Sequence, residues 1–185
     1  YLTHCSRAGY DSEVVFLPSI ASMDSFPYLH KINASQGGLP KLPLAEAWVS
    51  VNGIRSDGHR NKVLHGGPDR AICLFSFELI EALRQEGHTI FPGASGENFT
   101  ITGLNWAHIQ PGVHMRIGEE VRIACTSFCE PCRRNAQWFH NGDYSRMDQR
   151  RHPGWSRLYA RVLTEGQVRQ GDRIWVENLS KEKLS

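Results

Sequence analysis

Apolar residues along the chain fall in short clusters separated by glycine, proline and asparagine, a rhythm that predicts short strands in place of long helices. Tyr28 to Asn33 reads as a strand, and Gln36-Gly37-Gly38-Leu39-Pro40 as a turn. Leu44 to Val51, with Trp48, Val49 and Val51, predicts a second strand, which ends at the turn signal Asn52-Gly53. Arg70 to Phe75 and Glu97 to Thr102 are further strands. Met115 to Ile117 and Val121 to Cys125 flank Gly118-Glu119-Glu120 as a hairpin. Tyr159 to Leu163 and Arg173 to Glu177 follow, joined through Gly166 and Gly171-Asp172. Helical spacing is clear in one place: Ser76 is placed to cap, Glu78 lies in the first turn, and Phe77, Ile80 and Leu83 recur up to Gly87. Seven or so strands with one good helix predict a mainly β, barrel-like fold with a few short helices.

Composition narrows the class. The 185 residues suit one domain, and 40% hydrophobic with 22% charged residues excludes wholesale disorder. The best apolar run, Val14 to Leu17, stops at Pro18, so no membrane span is expected. Twenty-one Lys and Arg against 19 Asp and Glu give +2, too little for a general nucleic-acid coat, and no nucleic-acid partner is expected. The chain opens on Tyr1, and Met23 is its first methionine, so residues 1–22 are expected to be an upstream extension. Five cysteines, at 5, 73, 125, 129 and 132, form a poor disulfide framework. With no secretory pattern at the start, they predict a reducing, cytoplasmic setting in which thiols serve chemistry or metal.

Three of those cysteines lie in Cys125-Thr126-Ser127-Phe128-Cys129-Glu130-Pro131-Cys132, followed by Arg133-Arg134-Asn135. The spacing suits an iron–sulfur cluster, but it lies late in a short β-rich chain. The alternation Val121, Ile123, Cys125 also sends Cys125 into the core. A three-cysteine zinc site with His140 is equally disfavoured. Cys132 differs: Pro131 breaks the strand before it, and two arginines follow, which favours a thiolate able to attack or to bind a soft metal. An ordinary exposed thiol beside solvated arginines is the alternative, and Cys129 reads as a resolving thiol or a bystander.

Three polar segments could complete a site. Asp57 to Arg70 combines Gly66-Gly67 with Arg60, Lys62 and Arg70, a place for an anionic small ligand or a solvated turn. In Gly93-Ala94-Ser95-Gly96-Glu97-Asn98-Phe99, the carboxylate and amide either orient a polar ligand or tie down a loop. Arg146 to Arg157, with Trp155 among its cations, reads as a mobile rim over a site; single-strand nucleic-acid binding is the weaker alternative.

Taken together, these segments resemble the MOSC domain, the module named for the C-terminal part of molybdenum cofactor sulfurases. The resemblance runs from about His30 to Val176. It rests on Gly37-Gly38-Leu39-Pro40-Lys41-Leu42-Pro43, His65-Gly66-Gly67-Pro68-Asp69-Arg70-Ala71, Gly96-Glu97-Asn98 and Pro131-Cys132. His152-Pro153-Gly154-Trp155-Ser156-Arg157-Leu158-Tyr159 and Gly166 to Asp172 complete it. The resemblance is to standalone bacterial-type members, including the hydroxylaminopurine reductase kind, and more distantly to eukaryotic amidoxime-reducing proteins. The resemblance implies a predominantly antiparallel β-barrel over residues 28–178, with an extension at 1–27 and a polar tail at 179–185. It implies a molybdopterin-type molybdenum cofactor, with Cys132 as the metal ligand and catalytic residue, and only at the level of the whole family pyridoxal phosphate binding. Arg55, Arg60, His65, Gly66, Gly67, Asp69 and Arg70, with Arg133, Arg134 and Asn135, would hold the cofactor. Glu97, Asn98 or His65 would position substrate or deliver protons. The implied activity is reduction of a small N-hydroxylated compound, with electrons from a separate reductase, since no flavin or nicotinamide fingerprint is present. Two rivals stand beside it: a sulfur carrier using a Cys132 persulfide, and a non-catalytic cofactor-binding module.

Overall fold

A computed structural model describes residues 26–58 and 67–177. All but the last two residues of the expected N-terminal extension, and the C-terminal tail, lie outside the described residues. Within them the chain is mainly β, as expected. The strands are β1 (Tyr28–Ala34), β2 (Leu42–Leu44), β3 (Glu46–Ser50), β4 (Gly53–Ile54), β5 (Ile72–Ser76), β6 (Phe99–Thr102), β7 (His114–Ile117), β8 (Val121–Cys129), β9 (Arg157–Thr164), β10 (Gly166–Arg169) and β11 (Ile174–Glu177). One α-helix, α1 (Phe77–Gln85), and several 3-10 turns are found among the described residues. Eleven strands stand among the described residues where the sequence marks eight segments: the segment read as Leu44 to Val51 breaks at Ala45 into two, and β4 and β10 are short strands read as turn and joint. β2 pairs with β1, whereas β3 pairs with β10. Gly166, read as a joint, instead starts β10 directly after β9.

Eight strands form one sheet in the order β11-β7-β8-β9-β5-β6-β1-β2, and β10-β3-β4 form a second. The pairs are antiparallel except β5 with β6. That exception follows from α1, which lies between those two strands in the chain; a parallel pair needs a crossover of this kind. Ser76 caps the helix, its Oγ accepting from the Leu79 amide at 3.3 Å, and Ile80 and Leu83 are buried on its inner face. The two ends of the large sheet approach each other. Tyr28 and Arg173 form a bridge, the Leu29 amide donates to the Asp172 carbonyl (2.8 Å) and the Ile174 amide to the Pro27 carbonyl (2.7 Å). No continuous ladder closes the barrel there.

Ile72, Leu74, Phe99, Leu158 and Ala160 are fully buried and belong to one hydrophobic cluster at the middle of this sheet. No helix among the described residues is long and apolar enough to cross a membrane. Because Leu158 lies on a central strand and is wholly enclosed, Leu158→Ala should cost about 2–5 kcal/mol. A fall in the urea midpoint with an unchanged denaturant slope would show this; a loss below about 1 kcal/mol would mean that the cavity left behind had collapsed.

Candidate functional site

β9 reads Arg157-Leu158-Tyr159-Ala160, and a strand sends successive side chains to opposite faces. Leu158 and Ala160 take the core face. Arg157 and Tyr159 therefore share the other, and the neighbours in register join them. Cys73 of β5 pairs with Tyr159, and Cys129 of β8 pairs with Arg157. An extra residue in β8, between Cys125 and Ser127, reverses the phase of that strand. Cys125 thus stays opposite Ala160 in the core, 3% exposed, and burial pushes its thiol up to about 12. Cys129 emerges on the face with Arg157.

These four side chains line a cavity of about 390 Å³, within the range of small-ligand sites. Gly38, Leu39 and Lys41 form one wall, Ser95, Gly96 and Asn98 a second, and Cys132, Arg133 and Arg134 a third. Cys132 stands just beyond the end of β8, half-buried, its Sγ donating weakly to Asn135 Oδ1 at 3.8 Å. Asn135 is fully buried and its Nδ2 reaches the Ser95 carbonyl at 3.3 Å, so the Cys132 turn is tied to the opposite wall. Arg70 is exposed at the rim, its guanidinium 5.4 Å from the Tyr159 ring centre.

The walls are joined through Asp57, whose side chain is only 1% exposed. Its carboxylate accepts from Lys41 Nζ, from the Ser35 amide (2.9 Å) and from Asn98 Nδ2 (2.8 Å). Asn98 in turn accepts from the Cys73 amide at 3.1 Å and donates to the Asn33 carbonyl at 3.3 Å. Both polar ends of Asn98 are thus engaged in holding β1, β5 and the Asp57 loop. Glu97 is buried and faces its own turn, accepting from the Gly93 amide and Ser95 Oγ (each 2.6 Å) and from Thr100 Oγ1 (3.2 Å). Gly93 must be glycine: its φ is +88°, and a Cβ there would sit 2.3 Å from the Lys41 carbonyl oxygen.

The floor carries an unusual charge arrangement. Arg157 is 5% exposed, yet its guanidinium donates only to the main-chain carbonyls of Ser95 and, at 3.5 Å, Glu130. No carboxylate pairs with it among the described residues, and its Nε has no hydrogen-bond partner there. A hydrogen bond from the Cys73 thiol brings the Cys129 thiol down to about 6 against the effect of burial, helped by Arg157, Tyr159 and Arg70. The same hydrogen bond, burial and the Cys129 charge hold Cys73 well above the usual thiol range. Burial and the neighbouring thiols likewise raise Tyr159. For Arg157 burial opposes the charge, but Cys129, Cys73, Tyr159 and Glu97 together hold it above its ordinary value. The floor is therefore a buried guanidinium beside two hydrogen-bonded thiols, of which Cys129 is much the more acidic.

Of the residues singled out in the sequence, Cys132, Asn98, Arg70, Arg133 and Arg134 line the cavity, and Asn135 supports it. Glu97 lies behind the wall. Asp69 is exposed and pairs with Arg161, and Gly67 is exposed beside it; neither lines the cavity. Arg55 is also elsewhere, its guanidinium 4.8 Å from the Trp48 ring centre. Arg60, His65 and Gly66 lie outside the described residues. Arg157 was expected on a mobile rim and instead forms the floor, because β9 begins with it. Cys73, Cys129, Tyr159 and Lys41 were not anticipated there. The polar–apolar alternation of Arg157 to Ala160 was the available signal for Arg157 and Tyr159.

The MOSC domain family model matches residues 61–175 of this chain. The protein YflK of Bacillus subtilis (strain 168) is 29% identical over 150 residues, covering 80% of this chain and 66% of that protein. The protein YiiM of Escherichia coli (strain K12) is 28% identical over 151 residues, 76% of this chain and 66% of its own length. The chain thus spans just under two thirds of the length of these curated relatives. The crystal structure of YiiM from Geobacillus stearothermophilus superposes with a TM-score of 0.67 at 24% identity, over 86% of this chain and 79% of that one. The YUAD protein of Bacillus subtilis gives 0.67 at 16% identity, over 84% and 98%. These superpositions show a shared fold.

Asp57→Ala should be strongly destabilising, by about 3–5 kcal/mol, because it strands the buried Lys41 ammonium and two hydrogen-bond donors. Urea unfolding checks this. Adding Lys41→Met to that variant should restore part of the loss; no recovery would mean that the charge pair is not the source of the effect.

Proposed function

The chain belongs to the MOSC domain family, and from that premise we propose that it is a molybdenum-cofactor-dependent reductase of small N-hydroxylated compounds, with Cys132 as the protein ligand of the metal. The observation that carries this reading is a half-buried thiol, Cys132, on the wall of a 390 Å³ cavity that four arginines also line. A thiolate is the donor type that suits a soft metal, and guanidinium forks suit a phosphate-bearing pterin. The residues present fit such a group. Arg157 lines the same cavity, and its buried Nε has no hydrogen-bond partner among the described residues.

When bound, the cofactor supplies the two-electron couple that an N–O bond cleavage requires. The chain's own part is to hold and to orient. Cys132 ligates, and its turn is kept in place by Asn135 and the Ser95 carbonyl. Arg133 and Arg134, exposed at the mouth, take the anionic end of the cofactor, and Arg70 closes over the Tyr159 ring. Asn98 lines the cavity and Glu97 lies behind it; the polar atoms of both are committed to the wall, so they position it and do not move protons. Tyr159 keeps its phenolic proton at neutral pH, which makes its hydroxyl a steady hydrogen-bond donor toward the cavity floor. Electrons come from a separate reductase.

Anaerobically purified protein from a host that makes the cofactor should contain stoichiometric molybdenum, and Cys132→Ala should lose the metal. Reduction of an N-hydroxylated base with an artificial electron donor should fall to background in the same variant. Metal-free protein that carries the mass of one added sulfur on Cys132 would overturn the proposal in favour of a sulfur carrier. Molybdenum without turnover would leave a cofactor-binding module in place of the enzyme.

A further inference from the structure

The cavity holds a second sulfur centre that the proposed metal site does not use. We propose that Cys129 is a resident thiolate, ion-paired with Arg157, and that it is a site of oxidation by small peroxides entering the cavity. The argument begins with charge balance. A buried guanidinium is costly unless a negative group faces it, and among the described residues Arg157 has only carbonyl oxygens as hydrogen-bond partners. The residue directly across the ladder from it is Cys129. Glu97, a buried carboxylate whose charge acts on Arg157, spends its oxygens on Gly93, Ser95 and Thr100. The negative charge that completes the floor therefore resides on sulfur.

The surroundings of that sulfur agree from each side. Cys73 on β5 donates its S–H to Cys129, and Tyr159 on β9 donates its hydroxyl. Arg70, from the turn before β5, adds a second positive field, while Glu97 acts on the floor only through Cys73 and Arg157. The Glu130 carbonyl oxygen, 3.7 Å from the Cys129 Sγ, is a weak acceptor for the S–H of the neutral form, a contact that the thiolate gives up. Cys129 is 3% exposed, but it lines the cavity, and small neutral reagents reach it from there.

The chemistry is the ordinary one for a thiolate. Sulfur attacks one oxygen of hydrogen peroxide, an S–O bond forms as the O–O bond breaks, and hydroxide leaves to take a proton from water. The sulfur loses two electrons to the peroxide and becomes a sulfenic acid. The product is neutral, so Arg157 loses its counter-charge and the cavity becomes more positive. Oxidation at Cys129 thus changes how strongly the cavity holds an anion, without involving Cys132.

The test uses the full chain, free of metal, exposed to hydrogen peroxide and trapped with dimedone, with the adduct mapped by peptide mass spectrometry. The adduct is expected on Cys129 in the unaltered chain and again in Cys132→Ala, with Cys125 unmodified. Iodoacetamide labelling of Cys129 in the unaltered chain should be half-maximal near pH 6. In Cys73→Ala, loss of the S–H donor should raise that midpoint by about one unit or more and slow labelling at least about fivefold at pH 6. Adducts confined to Cys132, or a Cys129 midpoint near the ordinary thiol value of about 8.5, would overturn the proposal. The labelling profile of the unaltered chain decides the matter even if Cys73→Ala does not fold.

Discussion

Water is almost entirely excluded from the Asp57 carboxylate, and this one constraint organises the site. An ionised carboxylate so enclosed must find partners, and it finds three: the Lys41 ammonium, the Ser35 amide and the Asn98 side-chain amide. Each belongs to a different piece of chain. Lys41 leads into β2, Ser35 follows β1, and Asn98 precedes β6, so satisfying one charge draws three loops over the same face of the sheet. Asn98 then extends the network to the Cys73 backbone and thus to the cavity floor. Hydrogen bonds of this kind add little net energy singly, but leaving one donor unmet in a buried place is expensive. The cavity is accordingly held open by polar groups that have nowhere else to go.

The same strands that line the cavity also build the core. β5, β8 and β9 show Ile72, Leu74, Leu158 and Ala160 to the interior and Cys73, Cys129, Arg157 and Tyr159 to the site. Stability and chemistry thus depend on alternate residues of one ladder. The MOSC-family assignment fits a site whose floor is built on strands, with Cys132 placed in a turn beyond β8.

Much of this was legible in the sequence. The helix from Ser76, the hairpin around Gly118 and the β-rich class follow from spacing and turn chemistry, and those signals are local. Cys125 as a core thiol was legible too, from its place in the alternation with Val121 and Ile123. Less visible was anything that depends on pairing between distant strands. Cys73, inside an apolar run, reads as one more core residue; only its partner Tyr159 shows which face it takes. Arg157, at the end of a basic, proline-bearing stretch, looks like surface until β9 is seen to start there. The Lys41–Asp57 contact joins residues 16 positions apart with no motif between them. Arg55 shows the converse: a cation in a promising basic segment that stacks on Trp48 instead.

The bulge in β8 has a consequence beyond its own geometry. Cys125 and Cys129 are four positions apart, and in an unbroken strand they would face the same way. One additional peptide unit separates an inert sulfur from one that meets a guanidinium. The strand behaves like a reading frame: drawn out into a regular ladder from Cys125, the same residues would turn Cys129 toward the hydrocarbon and put Phe128 on the cavity face in its place. Among relatives aligned by residue type alone, a matching cysteine would then say nothing about matching chemistry; the number of paired positions between the thiols would.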